Sequence, residues 1–487
     1  MAKSVCLFLW LPFACCVLTG AVHADEYDDL RLKWRDALTG GTNLPLADSI
    51  VQSRLASIAS TAQGFWSTLN TSPTRTNLWA DAARPNESED ITTCYNRLRA
   101  MALAWATRGC SLETNAALGA DIVSALDWAY TNYYNENKAQ YDNWWDWQIG
   151  TPQHLNNTCV LIYDLLSPAQ LANHQAAIHK FTPAATGTGA NRTDTALVAA
   201  ISGILSRNAA KLANARDGLS PVFPYVTSGD GFYTDGSFIQ HTRHPYTGSY
   251  GSVLIDGVAR LMSLLAGSTW EVTDPASANV FRWIYDSYEP VIYKGATMDN
   301  LRGRAVSRMG STDHSAGAGN MQSILQIAQF APTHDAVAFK RMLKYWIQAN
   351  TFRNFTNNVP LNLLQATRDL MADTNITPRG ELIGHYQFPS MDRVVHLRPG
   401  FGFAIAMSSS RIYTYESINQ EHLKGWFTGD GMTTLYTDDL GQFSGNYWAT
   451  VDPYHLPGTT VDLTNRANLQ IRGVAEGAWP ALTEALA

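Results

Sequence analysis

Residues 229–251, GDGFYTDGSFIQHTRHPYTGSYG, combine histidines and tyrosines with glycines and contain few aliphatic side chains. This composition does not suit an ordinary core helix, and it favours either a polar turn region or a catalytic loop. His241 and Tyr250 lie nine residues apart on a segment that Pro245 and Gly248 interrupt. A helical pattern begins directly afterwards, so we expect Tyr250 at a loop-to-helix junction that faces a cleft.

Two other polar segments could complete such a site. TGTGANRTDT is predicted to place Asn191 in a glycine-rich turn, and NLRGRAVSRMG presents Arg302, Arg304 and Arg308. Each has a simpler explanation, because Asn tolerates the left-handed conformation of turns and an arginine can serve as a structural ion-pair partner. These segments lack the paired carboxylates of a glycoside hydrolase, and they contain no G-x-S-x-G nucleophile elbow.

A set of Asn, His, Tyr and Arg does suit proton abstraction next to a carboxylate. That carboxylate must be masked, since the carbanion would otherwise carry a second negative charge. An Asn amide and a His can hydrogen-bond it, and an Arg adds positive charge nearby. We expect neighbouring cations to depress the pKa of a Tyr, ordinarily about 10, so that the Tyr acts as base and then returns the proton to the leaving oxygen. The predicted chemistry is β-elimination on a uronic acid.

The elements that would position these side chains change in character along the chain. From about Glu26 to about Leu370 the hydrophobic spacing is helical, and it predicts an all-α domain of helical hairpins in a curved or toroidal array. Two of the helical faces predicted from this spacing are Leu254, Val258, Leu261 and Leu265, and Ile201, Leu205, Asn208 and Leu212.

After about Arg379 the pattern has a period of two. Phe401, Phe403, Ile405 and Met407 alternate with small residues, which predicts a strand of a β-rich domain that begins near Leu382. The turn-forming residues of MADTNITPRGEL suit a linker between the two domains.

Composition limits the classes of function. The chain has 487 residues, of which 45% are hydrophobic, and a net charge of −7. It can bury a large core, and its charge argues against a general binder of nucleic acid or of anionic membranes. Its 15 Trp and 21 Tyr suit sugar rings, although aromatic side chains also fill cores.

The N-terminus carries an apolar run from Val5 to Leu18 and small residues at Val22 and Ala24. This pattern predicts a secretory signal peptide cleaved after Ala24, and therefore an exported protein. No C-x-x-C pair or His-rich cluster indicates a metal, and we expect no cofactor. Outside the predicted signal peptide only Cys94, Cys110 and Cys159 remain, so at most one internal disulfide can form, with Cys94 and Cys110 favoured by their closeness in sequence.

The chain also resembles a known family, the polysaccharide lyases of family 8, which contains hyaluronate, chondroitin AC and xanthan lyases. The resemblance covers nearly all of the chain after the predicted signal peptide, in the family's order. It is carried by NWWDWQIGTPQHLNNT, TGANRTD, GDGFYTDGSFIQHTRHPYTGSYG, RGRAVSR, YESINQEHLKGWFTGDG and DPYHLPGTTVD. It implies an incomplete α/α toroid followed by an antiparallel β-supersandwich, with the cleft between them.

The resemblance also implies roles for individual residues. Asn191 corresponds to the residue that neutralises the substrate carboxylate, and His241 and Tyr250 correspond to the catalytic His and Tyr. Arg304 matches a supporting arginine and Glu416 the acidic residue that orients the cluster. The implied substrate-binding residues are Trp144, Trp145, Arg308 and Asn419.

We therefore expect a signal peptide over 1–24, a catalytic toroid over 25–370, a linker over 371–385 and a partial β-sandwich over 386–487. Family members continue through a complete β-sandwich, so we also expect this chain to be truncated at its C-terminus. The expected protein is a secreted, monomeric lyase acting on hyaluronan or chondroitin, with no nucleic-acid or membrane partner. The alternatives are xanthan lyase activity, a non-catalytic polysaccharide-binding protein, and a hydrolase on a similar toroid. Trp144 and Trp145 could also be plain core residues.

Overall fold

A computed structural model describes residues 25–463 of the chain. The helices of this part are α1 (Glu26–Thr39), α2 (Ser49–Ser67), α3 (Glu89–Ala106), α4 (Ala116–Asn132), α5 (Thr151–Leu161), α6 (Pro168–Phe181), α7 (Gly189–Leu205), α8 (Ala209–Asp217), α9 (Tyr250–Leu265), α10 (Asn279–Trp283), α11 (Asp313–Ile327), α12 (Thr333–Ala349), α13 (Phe355–Asn358), α14 (Leu361–Ala372) and α15 (Tyr447–Thr450). The predicted signal peptide, residues 1–24, lies outside the described residues, as do residues 464–487.

Three antiparallel sheets accompany these helices. Two of them are small and lie within the helical region, and a four-stranded sheet follows it in the order β6-β7-β8-β9. The strands are β1 (Gly231–Phe232), β2 (Phe238–Gln240), β3 (His244–Pro245), β4 (Ile292–Tyr293), β5 (Ala296–Thr297), β6 (Gly384–Phe388), β7 (Arg393–Arg398), β8 (Phe401–Ala406) and β9 (Met432–Tyr436).

The helices are arranged in two layers. Alternate helices α3, α5, α7, α9 and α11 pack side by side in chain order, and α2, α4, α8 and α12 cover them from outside. α1 packs against α3, α5, α7, α9 and α14. This is the incomplete α/α toroid that the sequence predicted, and the antiparallel sheet after it agrees with the predicted fold class.

Local sequence explains most element boundaries. Asp48 caps α2 by accepting the backbone N–H groups of Ile50 and Val51, and Ser167 and Gln170 form a capping box at α6. The predicted apolar face of α9 is confirmed, because Leu254, Val258, Leu261 and Leu265 are all buried. The other predicted face was wrong beyond Leu205, where α7 ends, because Asn208 caps the next helix, α8, and Leu212 lies within that helix.

The four-stranded sheet is joined to the toroid by its own hydrophobic core. Val395 and Leu397 of β7 pack with Tyr293, Met298 and Leu301 of the helical part. The predicted alternation along β8 is confirmed, and it is the small residues Gly402, Ala404 and Ala406 that face inward. The aromatic and branched residues of this strand therefore lie on the opposite face, away from the toroid.

The predicted disulfide was wrong, since Cys94, Cys110 and Cys159 are free and buried. Cys94 lies in the first half of α3, whereas Cys110 follows the end of that helix. Because a helix rises about 1.5 Å per residue, the two cysteines lie much farther apart than the ~5.5 Å between Cα atoms that a disulfide requires.

None of the helices in the described range combines the length and the apolar character that a membrane span needs.

Candidate active site

The first element of the site is the turn that carries His241. Strand β2 ends at Gln240, and the next two residues, His241 and Thr242, both have left-handed backbones, with φ of 53° and 71°. Such conformations are uncommon for residues with a β-carbon and need support from their surroundings. Asp230 supplies it, because its carboxylate accepts the Thr242 N–H at 2.6 Å and the Gln240 amide at 2.9 Å. The direction of the His241 ring is thus fixed by a rigid turn.

The same turn is bound to the start of α7. Gln240 accepts the backbone N–H of Ala190 at 3.2 Å, and a β-carbon on Gly189 would lie 2.1 Å from the Gln240 oxygen. Gly189, with φ of +49°, is therefore required for this approach. Asn191 follows as the third residue of α7, so its predicted position in a turn was wrong. The glycines form the turn, and Asn191 lies in the first turn of the helix, beside the His241 segment.

Glu416 is the centre of the buried hydrogen-bond network. It is 4% exposed, and its Oε1 accepts the His241 Nδ1–H at 2.5 Å. Its Oε2 accepts from the Tyr246 hydroxyl and from Arg304 Nη1. Burial alone would raise the pKa of Glu416, but the hydrogen bond and charge of His241, together with Arg304, lower it below its ordinary value. An ionised Glu416 thus orients the His241 ring through Nδ1, and Nε2 has no partner among residues 25–463.

Arg304 connects this network to the tyrosine. The arginine is 4% exposed, and besides Glu416 its guanidinium donates to Glu421 at 2.6 Å and to the Tyr250 hydroxyl at 2.8 Å. Glu421 also accepts from Arg308 at 2.5 Å. Hydrogen bonds to Glu416, Glu421 and Tyr250 fix the orientation of the Arg304 guanidinium. The positive charge of Arg304 therefore lies next to the hydroxyl oxygen of Tyr250.

Tyr250 is the first residue of α9, which confirms its predicted junction between loop and helix. Its ring centroid lies 4.7 Å from that of His241. Burial raises the pKa of Tyr250, and the charge and hydrogen bond of Arg304 only partly oppose that rise. The expectation of a depressed pKa was therefore wrong for the protein without substrate. The hydroxyl is protonated, and because it accepts from Arg304 its own hydrogen is available to another acceptor.

Tyr246 has a supporting position. It is fully buried, donates to Glu416 and receives hydrogen bonds of 3.3 Å from the backbone and side chain of Arg304. Burial and the charge of Glu416 raise its pKa well above the ordinary value. Gly303 packs so closely that a β-carbon would lie 2.1 Å from the Tyr246 ring. Tyr246 is thus part of the scaffold that holds Glu416 and Arg304.

Two exposed tryptophans, Trp144 and Trp145, lie in the segment before α5. Trp144 and Trp145 are 41% and 38% exposed, so the interpretation of both as core residues was wrong. Their neighbour Trp147 is 1% exposed and packs against Tyr134 and Phe181. A β-carbon on Gly150 would lie 2.5 Å from the ring of Trp145, so this glycine makes room for the indole.

Three further predicted residues lie outside the central cluster. Arg308 is about half exposed and bound to Glu421. Asn419 is exposed, and its backbone is left-handed with φ of 56°. Arg302 is 1% exposed and paired with Asp299, which makes it a structural ion-pair residue. The structure thus brings His241, Tyr250, Arg304 and Glu416 into one hydrogen-bonded cluster, with Asn191 attached through Gln240.

Sequence reasoning missed Asp230, Gln240, Tyr246 and Glu421 as members of the site. The only signal for Glu421 is its place in YESINQEHLKG, five residues after Glu416. Tyr246 carries no signal that separates it from Tyr250, since both are tyrosines of one loop. Over residues 25–463 there is no grouping of three or more His, Cys, Asp or Glu side chains that could hold a metal ion.

Family models match most of the chain. Residues 34–345 match the polysaccharide lyase family 8 N-terminal alpha-helical domain, and residues 383–481 match the super-sandwich domain of the same family. A xanthan lyase of Bacillus sp. is 46% identical over 90% of this chain and 48% of its own length. A hyaluronate lyase of Thermasporomyces composti is 40% identical over 91% of this chain and 57% of its own length.

Solved structures agree with these relatives. The Paenibacillus xanthan lyase superposes with a TM-score of 0.88 at 51% identity, covering 92% of this chain and 43% of that one. The Streptomyces coelicolor chondroitin AC lyase, solved with chondroitin sulphate, gives a TM-score of 0.86 at 38% identity, covering 91% of this chain and 62% of that one. The chain spans about half the length of the relatives it matches.

Proposed function

This chain belongs to polysaccharide lyase family 8, and we propose that it cleaves uronic-acid-containing glycans by β-elimination. The observation that carries the proposal is the hydrogen-bonded chain from His241 through Glu416 and Arg304 to the Tyr250 hydroxyl, with 2.5 Å at its first contact and 2.8 Å at its last. Its two ends supply the two tasks of the reaction, which are masking a carboxylate and moving a proton.

The masking task falls to Asn191 and His241. The Asn191 amide can donate to the uronate carboxylate, and His241 can donate an Nε2–H to it when the ring carries a proton on both nitrogens, with Nδ1–H held by Glu416. Hydrogen bonds to that carboxylate withdraw negative charge from it, which stabilises the carbanion that forms at C5. Glu416 keeps the imidazole oriented for this contact.

The proton transfers fall to Tyr250. As a tyrosinate it takes the C5 proton, the electron pair forms the C4–C5 double bond, and the C4–O4 bond breaks. The same hydroxyl then returns the proton to the departing glycosidic oxygen. Because the pKa of Tyr250 is raised in the free protein, its hydroxyl releases its own proton to water only as substrate binds, and the resulting tyrosinate is the base. Arg304, 2.8 Å from its oxygen, is the group that stabilises the anion.

Substrate binding is assigned to the surface around this cluster. Trp144 and Trp145 present exposed rings on which sugars can stack. Arg308 and Asn419 lie at the exposed edge of the network, where an acidic chain would pass. No cofactor enters the proposed reaction, since charge masking and proton transfer are both performed by side chains.

Hyaluronan or chondroitin is the proposed substrate, and the pyruvylated mannose-glucuronate side chain of xanthan is the second candidate. The second is favoured by one comparison, because the relative named xanthan lyase is 46% identical and the one named hyaluronate lyase 40%. All three polymers present a uronic acid with a glycosidic oxygen at C4.

The test is to incubate the purified protein with each polymer and record ultraviolet absorbance together with new reducing ends. Elimination conjugates a C=C bond to the carboxylate, so the expected result is a 4,5-unsaturated, absorbing uronide. Reducing ends without that absorbance would establish a hydrolase instead. Binding without either signal would establish a non-catalytic polysaccharide-binding protein.

We further propose that the protein is exported as a monomer, with the toroid over 25–370, a linker over 371–385 and the β domain from 386 onward. The apolar run from Val5 to Leu18 supports export. N-terminal sequencing of protein from culture medium should begin at Asp25. A mature chain that retains Met1 would contradict the signal peptide.

A further inference from the structure

We propose that His385 and His396 form a two-histidine chelating site for a divalent transition-metal ion such as Zn²⁺, Ni²⁺ or Cu²⁺. The two residues are directly paired across the antiparallel strands β6 and β7. Their side chains lie on the face of the sheet opposite to the buried Val395 and Leu397. This site is separate from the proposed lyase cluster and has no part in the elimination.

The separation of the ring nitrogens fits a shared metal ion. His385 Nδ1 and His396 Nδ1 are 3.3 Å apart. Two imidazole nitrogens bound to one tetrahedral zinc at about 2.0–2.1 Å stand roughly 3.3 Å from each other. A direct N–H···N hydrogen bond would favour a shorter distance, near 2.9 Å. The rings thus already hold the spacing of a chelate, without movement of either strand.

A neighbouring amide can fix the required tautomer. Gln387, two residues after His385 on the same face of β6, places its amide 3.3 Å from His385 Nε2. The oxygen and nitrogen of an amide are interchangeable by rotation, so the Gln387 oxygen can accept an N–H from this Nε2. The proton then resides on Nε2 and the Nδ1 lone pair is free for a metal. An outer partner of this kind orients metal-binding histidines and strengthens their basicity.

The surroundings leave the pair accessible to solvent. His385 is exposed and His396 half exposed. The guanidinium of Arg398 is turned toward backbone, donating to the carbonyl oxygen of Leu397 at 2.9 Å. Water molecules can complete the coordination on the open side.

A bound ion would connect two strands. β6 is an edge strand whose only sheet partner in residues 25–463 is β7. Because a metal that binds the folded pair and not the unfolded chain stabilises the fold by mass action, occupancy should raise the melting temperature. A bound metal ion would stabilise the β domain and leave turnover unchanged.

The experiment uses the full chain without an affinity tag. Zinc chloride is titrated from equimolar to a hundredfold excess while thermal unfolding is recorded, and Cu²⁺ is then bound for electron paramagnetic resonance. We expect a saturable rise in melting temperature that EDTA reverses, and a copper spectrum with two nitrogen ligands. H385A and H396A should each lose the rise and the two-nitrogen spectrum. H334A removes a histidine that is 91% exposed, and it should respond as the wild type does.

Either of two results would overturn the proposal. The first is an equal metal response in wild type, H385A and H396A, which would place the ion elsewhere. The second is no saturable response in the wild type, which would leave the pair as an ordinary histidine contact. If the histidine variants unfold, Q387A replaces them. It should weaken zinc binding several-fold while the apoprotein melts as before.

Discussion

His241 and Glu416 are 175 residues apart in the chain, yet Nδ1 of the histidine lies 2.5 Å from Oε1 of the glutamate. One belongs to the left-handed turn after β2 and the other to the segment between β8 and β9. The contact therefore spans the toroid and the β domain. The cluster cannot be assembled by either domain alone.

Tyr250→Phe should lower turnover by on the order of 10²–10⁴-fold, because the variant lacks the hydroxyl that carries the proton. The ring is retained, so stability should fall by only about 1 kcal/mol for the lost bond from Arg304. Turnover is measured by absorbance and stability by thermal unfolding. Tyr285→Phe, which removes a hydroxyl bonded to Asp335 at 2.9 Å, should keep full turnover. Equal losses in the two variants would argue against the assignment of Tyr250.

Tyr246→Phe is expected to reduce both stability and turnover. Its hydroxyl is buried between Glu416 and Arg304, so its loss leaves part of a buried network unsatisfied at a cost of about 1–3 kcal/mol. Urea unfolding of this variant and of Tyr250→Phe measures the difference, since only Tyr246→Phe should destabilise the fold by more than ~1 kcal/mol.

Glu416→Gln should destabilise the protein by about 3–5 kcal/mol, because it removes the negative charge between His241 and Arg304 in a buried site. The pKa of Glu416 is lowered on folding. Its contribution to stability is therefore complete above the unfolded value of 4.5 and is lost as pH falls below it. Urea unfolding from pH 3 to pH 7 should show the two proteins converging in stability at low pH. A constant difference would exclude this linkage.

Asp194→Asn should stabilise the protein at neutral and higher pH. Burial raises the pKa of Asp194 to about 7, although a hydrogen bond from Gln153 opposes the rise. The folded state thus holds a proton that the unfolded state releases, and wild-type stability falls as pH increases from about 4 through 7. Across pH 4–8, the melting temperature of the variant should rise relative to that of the wild type as the pH increases. Asp217→Asn, on the surface of α8, should follow the wild type.

Trp144→Ala and Trp145→Ala should each raise KM, on the order of tenfold, while kcat changes little. Both rings are exposed, so their removal should cost no more than about 0.5 kcal/mol of stability. Steady-state kinetics on the best substrate would measure KM and kcat separately for each variant. Phe352→Ala, which removes another exposed ring, is the control and should leave KM unchanged. A fall in kcat without a rise in KM would contradict the role of the two tryptophans as a binding platform.

EDTA should leave turnover unchanged, since Asn191 and His241 mask the carboxylate and Arg304 stabilises the tyrosinate in the proposed reaction. The measurement is absorbance after dialysis against chelator. Loss of turnover that one divalent ion restores would contradict the proposal. If EDTA reverses only the metal-induced rise in melting temperature and turnover stays the same, the metal is bound at the His385–His396 site and not used in the reaction.

Much of the fold could be predicted from periodicity. The stripe of Leu254, Val258, Leu261 and Leu265 fixes α9 and the face it buries, since an apolar stripe can be buried in only one direction. Alternation around Phe401 and Phe403 likewise fixes β8. The types of residue in the loop of His241 and Tyr250 pointed to proton transfer. All of these are local properties, determined by neighbours in sequence.

The tertiary structure alone decided the rest. The pairing of Glu416 with Tyr246 and Arg304, and the bridge from Glu421 to Arg304, join residues more than a hundred positions apart. The pKa of Tyr250 rises because the whole surrounding structure removes water from its hydroxyl, and this outweighs the opposing charges of Arg304 and Arg308, which the sequence could suggest. Contacts and desolvation depend on how complete elements pack, and no short stretch of residues encodes them.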